Sequence, residues 1–213
     1  DLVRRIMVFA IAAVSLNLIL GYGGLVAFGH AAYLGVGGYA VAVFPFYGVN
    51  DGLLQWGVAI GASALVALAI GAVSIRTSGL YFIMITLAFT QMLYYLGISI
   101  EEYGGDDGIR LKTRSELPLV DLSDPLQFYY LVLALLLLSV YIVHRLVNSR
   151  FGMVLRAAKS NEARSLALGY SPYRYRLTAF VIAGAMGGVA GALLLNHTNY
   201  LTPPFMHWTR SRG

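Results

Sequence analysis

Cysteine is absent from all 213 residues, which removes disulfide frameworks, cysteine-based zinc sites and thiol catalysis together. Charge is scarce as well: Asp, Glu, Lys and Arg make up 12% of the chain, against about a quarter in a soluble domain. Hydrophobic residues reach 58% and the mean hydropathy is +0.70, so lipid is the solvent of most of the chain. There is no HExxH pair, no GxxxxGK[ST] phosphate loop and no GxSxG elbow, and His30, His144, His197 and His207 are scattered. These absences speak against a catalytic centre, a metal site or a nucleotide site in this chain.

What is present is a series of long apolar runs. A spanning helix needs roughly 20 apolar residues to cross about 30 Å of hydrocarbon. Residues 56–75, 80–100, 128–147 and 177–195 meet that length. Residues 6–20 and 31–47 are apolar too, but Gly21-Tyr22-Gly23-Gly24 and Gly29-His30 interrupt them, which predicts a discontinuous or re-entrant pair. Residues 2–20 carry two arginines before an apolar run, as a signal peptide would, yet they continue into Gly-rich apolar sequence without a small-residue cleavage site. They read as a first membrane segment. The expected fold is an all-α, polytopic transmembrane helical bundle forming a single domain over residues 1–213. Because it opens at Asp1 without Met and stops at Gly213 just after Arg210-Ser211-Arg212, the chain reads as a fragment.

A pI near 9.5 and a formal charge of +5 would suggest nucleic acid in a soluble protein, but here the charges fall between apolar runs and report orientation. The loop 101–127 holds Glu101, Glu102, Asp106, Asp107, Glu116, Asp121 and Asp124 against Arg110, Lys112 and Arg114. Between His144 and Arg176 the balance reverses: Arg145, Arg150, Arg156, Lys159, Arg164, Arg174 and Arg176 face Glu162 alone. Basic residues near span ends favour the cytoplasm, so the loop 148–176 is expected there and 101–127 outside. Arg76, in the turn 74–79, then falls on the cytoplasmic side. Arg4 and Arg5 would favour the same side, whereas two full crossings before Trp56 would put them outside; a segment that enters without crossing would restore the parity. The pairs Glu101-Glu102 and Asp106-Asp107 could hold a cation, but a solvated face is the simpler reading. Ser78-Gly79, Gly104-Gly105 and Asp107-Gly108 read as turns.

Four glycines, Gly184, Gly187, Gly188 and Gly191, make two overlapping small-xxx-small spacings that let helix backbones approach closely, within one bundle or between subunits. Seven glycines from Gly21 to Gly38, with His30 among them, would be a costly way to build an ordinary span. His30 either lines a pathway or hydrogen-bonds a neighbouring helix. Asn17, Thr86, Thr90 and Gln91 are weaker pathway candidates, since Thr86 and Thr90 share one helix face and can bond back to their own backbone. Residues 151–169 are expected to form short helices with Met153, Val154, Leu155, Leu166 and Leu168 among basic residues, with Gly169 and Pro172 as stop signals. Such a segment suits a groove on another protein or a bed of anionic headgroups.

Several segments together resemble the branched-chain amino acid ABC permease family, specifically the longer of its two permease subunits. They are Leu16-Asn17-Leu18-Ile19-Leu20-Gly21-Tyr22-Gly23-Gly24, Phe28-Gly29-His30-Ala31-Ala32-Tyr33 and Gly37-Gly38-Tyr39. The series continues with Gly79-Leu80-Tyr81-Phe82-Ile83-Met84-Ile85-Thr86-Leu87-Ala88-Phe89, Gly104-Gly105-Asp106-Asp107-Gly108, Asn148-Ser149-Arg150-Phe151-Gly152, Asn161-Glu162-Ala163, Gly169 and Ala190-Gly191-Ala192. The order runs over nearly the whole chain. Family permeases continue past this chain's end, which implies that a C-terminal portion is missing. The resemblance implies a multi-pass permease of the bacterial inner (plasma) membrane, importing leucine, isoleucine and valine. Its implied partners are a second permease subunit, two cytoplasmic ATP-binding subunits that use the ATP, and a periplasmic substrate-binding protein. The chain itself would bind no cofactor and no nucleic acid.

On that analogy residues 151–169 look like the coupling helix that docks on an ATPase, with Arg156, Lys159, Asn161, Glu162, Ala163 and Gly169 as its residues. The general importer signature has Glu-Ala-Ala, three residues and Gly; here Arg164 replaces the second Ala and Gly169 comes one residue late. Relatives commonly carry serine where Ala27 stands. Similar permeases serve urea or short amides. An ion-coupled secondary transporter, a different class, would need acidic residues in its spans, and those from Trp56 to Leu195 contain none.

Overall fold

The computed structural model describes residues 2–27, 29–47, 51–99, 109–110, 124–198 and 200–201. The described residues are helical almost throughout. In chain order the helices are α1 (Leu2–Asn17), α2 (His30–Val43), α3 (Gly52–Ser74), α4 (Leu80–Ser99), α5 (Pro125–Val147), α6 (Arg150–Ser160), α7 (Glu162–Ala167) and α8 (Pro172–Thr198). A π turn, Leu18–Tyr22, prolongs α1, and a 3-10 turn, Phe44–Tyr47, prolongs α2. One two-residue antiparallel pairing joins β1 (Ile109–Arg110) to β2 (Tyr200–Leu201), with Ile109 opposite Leu201.

Five segments are long and apolar enough to cross a membrane: Leu2–Tyr22, Gly52–Ser74, Leu80–Gly97, Leu126–Val147 and Pro172–Thr198. Two begin earlier than their apolar runs suggest, because an aspartate caps the exposed N–H groups of the first turn. The Asp51 carboxylate accepts from Leu53 N at 3.0 Å, which starts α3 at Gly52 rather than Trp56. Asp124 accepts from Leu126 N at 2.9 Å, with Pro125 pre-set for the first helical position of α5. The short helices stop at the expected signals: Gly169, at φ +83°, ends α7, and Pro172, past that end, opens α8. Arg174 and Arg176 therefore lie in the first turns of α8, not in a loop.

Contacts fix which ends lie together. At one end Lys159 of α6 reaches Gly21, Tyr173 of α8 donates to Ala72 O of α3 at 3.0 Å, and the Arg76 guanidinium lies 5.9 Å from the Tyr173 ring. We call this the basic end. At the far end the Arg4 guanidinium lies 5.9 Å from the Phe128 ring, which is 6.0 Å from the His197 ring. So α1 runs from the far end to the basic end, and α2 returns toward the far end, where Val41 and Ala42 pack with Ala59 and Leu195. Of the two alternatives for the N-terminal pair, the discontinuous one is found. Of the two placements left open for Arg4 and Arg5, the contacts put Arg4 at the end opposite the basic loop, as two passes before Trp56 would. The acidic residues from Glu101 to Asp121, the turns at Gly104-Gly105 and Asp107-Gly108, and the Arg210-Ser211-Arg212 cluster lie outside the described residues.

The centre of the bundle is α8, with 67% of its apolar window buried against 22% for α4 and α5. It sits there because its glycines remove the side chains that would hold neighbours away. A Cβ on Gly184 would strike Ala67 of α3, one on Gly188 would lie 2.9 Å from Ala59 O of α3, and one on Gly191 would strike the Leu34 carbonyl of α2. On α2, Gly37 faces Gly188, backbone to backbone. Dispersion and close approach, not water exclusion, hold helices in lipid, so this seam carries the fold. By contrast Gly57 and Gly61 of α3 face open space.

The seam predicts opposite outcomes for one substitution at two sites. Gly188→Ala should cost about 1–3 kcal/mol by overpacking against backbone. Gly61→Ala should leave stability unchanged or raise it by up to about 1 kcal/mol through helix propensity. Thermal unfolding in detergent checks both; equal midpoints for the two variants would contradict the seam.

Candidate functional site

Two constellations stand out, one inside the bundle and one at the basic end. The first begins where α1 gives way to the π turn. Gly23 N donates to Leu18 O at 3.2 Å and Leu25 N to Ile19 O at 3.2 Å, wide closures of the kind that mark a break in a helix. The chain then runs non-helically through residues 24–27 and re-enters a helix at His30. Leu25 and Ala27 are buried in the apolar core, so this irregular backbone is covered by protein, the condition for tolerating it at membrane depth. Gly29 lies directly against Thr90 Oγ1 and Thr86 O of α4.

His30 is 3% exposed, and its Nε2 lies 2.6 Å from Ser15 Oγ of α1. Ser15 donates to Ala12 O at 2.7 Å, which leaves His30 Nε2–H as the donor to the serine oxygen. Nδ1 is then a buried acceptor without a hydrogen-bond partner among the described residues. The His30 ring meets Tyr33 edge-on at 5.7 Å, Tyr33 meets Phe180 at 5.9 Å, and Phe180 meets Phe82 at 6.3 Å. Ser63 of α3 donates to Tyr33 O at 3.3 Å. Gly187 of α8 supplies the room beside His30 and Tyr33. An imidazole and an aromatic ladder thus sit beside the break, joining α1, α2, α4 and α8.

The other pathway candidates are placed as follows. Thr86 donates to Phe82 O and Ile83 O at 3.0 Å each, and Thr90 to Thr86 O at 2.8 Å; both are buried. Gln91 is half-buried on the same helix. Asn17 is exposed at the start of the π turn, and its side chain occupies the space a Cβ on Gly21 would need. Sequence reading missed Ser15, although it continues the buried stripe Val8, Ile11 and Ala12 of α1, where a lone polar residue is itself a signal.

The second constellation is the α6–α7 elbow. Asn161 Oδ1 accepts from Arg164 N at 2.9 Å and caps α7. At the other end of α7, Gly169 N donates to Leu166 O at 2.9 Å and Tyr170 N to Ser165 O at 3.1 Å, the paired closure that needs a left-handed glycine. Arg176 of α8 holds the elbow from behind: it donates to Glu162 Oε2 at 2.8 Å and to Ala158 O at 3.1 Å. Arg156 donates to Gly152 O and Val147 O at 3.4 Å each, and Lys159 to Gly21 O at 2.6 Å. Ala163 is exposed, as are Met153, Arg164, Leu166 and Leu168. A cleft of about 570 Å³ opens between α6, α7 and the start of α8, lined by Arg150, Met153, Val154, Ser165, Leu168 and Tyr175 among others. Arg176 was not singled out in the sequence, though the lone Glu162 among seven cations was a signal that one of them pairs with it.

A model of the family described as branched-chain amino acid transport system / permease component matches residues 1–210. The high-affinity branched-chain amino acid transport system permease protein LivM of Escherichia coli is 28% identical over 95% of this chain and 53% of its own length. The protein of the same name from Salmonella typhimurium is likewise 28% identical, with the same coverage. A probable branched-chain amino acid transport permease protein LivH of Methanocaldococcus jannaschii is 36% identical over 30% of this chain and 19% of its own. The chain spans about half the length of the first two relatives. No solved structure matches it.

The Ser15–His30 pair gives a direct test. Ser15→Ala leaves a buried N–H without its acceptor and should cost about 1–3 kcal/mol, whereas the double change Ser15→Ala with His30→Leu should recover part of that loss. Thermal midpoints of the single and double variants in detergent measure it. A double variant less stable than Ser15→Ala by the full cost of His30→Leu alone would mean the two side chains act independently.

Proposed function

The chain belongs to the family of branched-chain amino acid transport system permease components, and from that premise we propose that it is membrane-spanning permease structure of an ATP-driven ABC importer for leucine, isoleucine and valine. The family match across residues 1–210 is the observation that carries this reading. A polytopic bundle of at least five span-length helices supports it. The permease does no covalent chemistry and binds no cofactor; partner ATPases use the ATP.

In this reading the subunit pairs with a second permease in the bacterial inner membrane, above two ATP-binding subunits and below a periplasmic substrate-binding protein. The basic end faces the cytoplasm: seven Lys and Arg between His144 and Arg176 outweigh Arg4 and Arg5 at the far end. The α6–α7 elbow then presents Met153, Arg164, Leu166 and Leu168 to an ATPase, with Glu162 and Asn161 occupied in holding its shape and Lys159 turned inward to Gly21 O. ATP-driven closure of the ATPases moves the elbow, and the bundle alternates between outward and inward openings. The path runs beside the break, where His30, Thr86 and Thr90 supply polar groups among aromatic and aliphatic walls. That suits a zwitterion with an apolar side chain delivered by a binding protein. Ion coupling lacks a carrier, since α3, α4, α5 and α8 contain no Asp or Glu.

Uptake of labelled leucine by the complete complex in proteoliposomes tests the proposal. Uptake should require ATP and binding protein and be competed by isoleucine and valine. Competition by urea or acetamide instead would keep the importer and change its substrate; uptake indifferent to ATP would remove the reading.

A further inference from the structure

Lys159 makes a contact that an ATPase-docking role does not explain. Its ammonium donates to Gly21 O at 2.6 Å, across 138 positions of sequence. Gly21 lies in the π turn, where carbonyls at a helix end lack helical partners and favour a cation. The stem of Lys159 is fitted too: Gly24, at φ +69°, leaves the space that its methylenes fill, and a Cβ there would come within 2.8 Å of Lys159 Cγ. One residue of α6 therefore holds the Gly21 carbonyl at the end of the first span and packs against the left-handed turn that leaves it.

The two sides of this contact are anchored differently. On the α6 side, Leu155 is fully buried in the core with Leu18 and Ile19 of the π turn, and Arg176 holds Ala158 O. On the other side, the stretch from Gly24 to His30 is short, and both of its ends are fixed. Gly29 lies against Thr86 and Thr90, and His30 is bonded to Ser15. Between the Gly21 carbonyl and His30 the described backbone is non-helical at residues 24–27 and a turn at Gly29, so the link contains no regular helix there.

We propose that Lys159 is the positioning residue through which the elbow sets the conformation of the break at residues 21–27, and so the environment of His30 that follows it. It acts on the path without touching substrate. The proposal rests on the permease reading given above and adds to it the link between the ATP-driven movement and the site.

The chain has no cysteine, so a single one can be introduced and labelled cleanly. Val26 is exposed within the break and serves as the reporter. In the assembled complex carrying Val26→Cys, without nucleotide, Lys159→Met should raise the rate of labelling by a membrane-impermeant maleimide several-fold. This arm does not depend on what is transported. In proteoliposomes the same variant should keep ATP hydrolysis while the maximal rate of leucine uptake falls about tenfold, the order of one charge-assisted hydrogen bond, with KM unchanged. Lys159→Arg should restore both readouts. Because Lys159 is exposed, neither variant is expected to prevent assembly. Unchanged labelling in Lys159→Met would overturn the link, as would full uptake. If the unmodified complex shows no ATP-dependent uptake, the permease reading fails, and the labelling arm still decides whether Lys159 holds the break.

Discussion

The whole bundle depends on how closely α8 can approach α2 and α3. In lipid no water is expelled when apolar helices meet, so the attraction between them comes from dispersion across short distances and from hydrogen bonds. Gly184, Gly188 and Gly191 bring backbones within reach of one another, and Gly37 answers Gly188 from the opposite helix. The consequence extends beyond packing. Helix α2 has 14 residues, about 21 Å at 1.5 Å each, too short to cross alone. It stays in place because nearly every one of its turns is clasped by α8 and α3, and ten of its residues are buried.

That clasp is what makes a break in the first pair of passes tolerable. Irregular backbone at membrane depth must find partners inside the protein. The π turn supplies two wide closures, Lys159 takes the Gly21 carbonyl, and Gly29 nestles against α4. Polar side chains follow the same rule: Thr86, Thr90 and Ser139 bond back to their own helices, while Ser15 and Ser63 reach across to α2. The cross-helix bonds converge on His30 and Tyr33, the residues that follow the break. Polarity is thus concentrated where the backbone is least regular.

Much of this was legible in the residues. Runs of apolar sequence located the four later spans, the glycine spacings located the seam, and the stretch from Gly21 to His30 located the break. What escaped was whatever depends on distance in sequence or on side chains that look dispensable. The apolar runs begin at Trp56 and Phe128, but Asp51 and Asp124 carry the helices several residues further by capping them, an effect hydropathy does not see. Charge counting left Arg4 and Arg5 open between the two ends; the structure sets each against an aromatic ring at the far end, Phe128 for Arg4 and Phe9 for Arg5. The Ser15–His30 and Lys159–Gly21 bonds join segments that no periodicity connects.

The elbow shows the same division between residues that shape and residues that are shown. A motif-level view groups Arg156, Lys159, Asn161, Glu162, Ala163 and Gly169 as one surface. Their geometry separates them: Asn161 and Gly169 begin and end α7, Glu162 answers Arg176, and Lys159 turns inward. Glu162 is half exposed, so its ion pair contributes little to stability on its own. Its weight lies in direction, because the guanidinium that holds it also holds the last turn of α6. With both short helices oriented from α8, the side chains left facing outward are apolar ones, Met153, Leu166 and Leu168, beside Arg164. A lever needs a rigid arm, a free face and an attachment. Arg176 supplies the first, these exposed residues the second, and Lys159 on Gly21 the third.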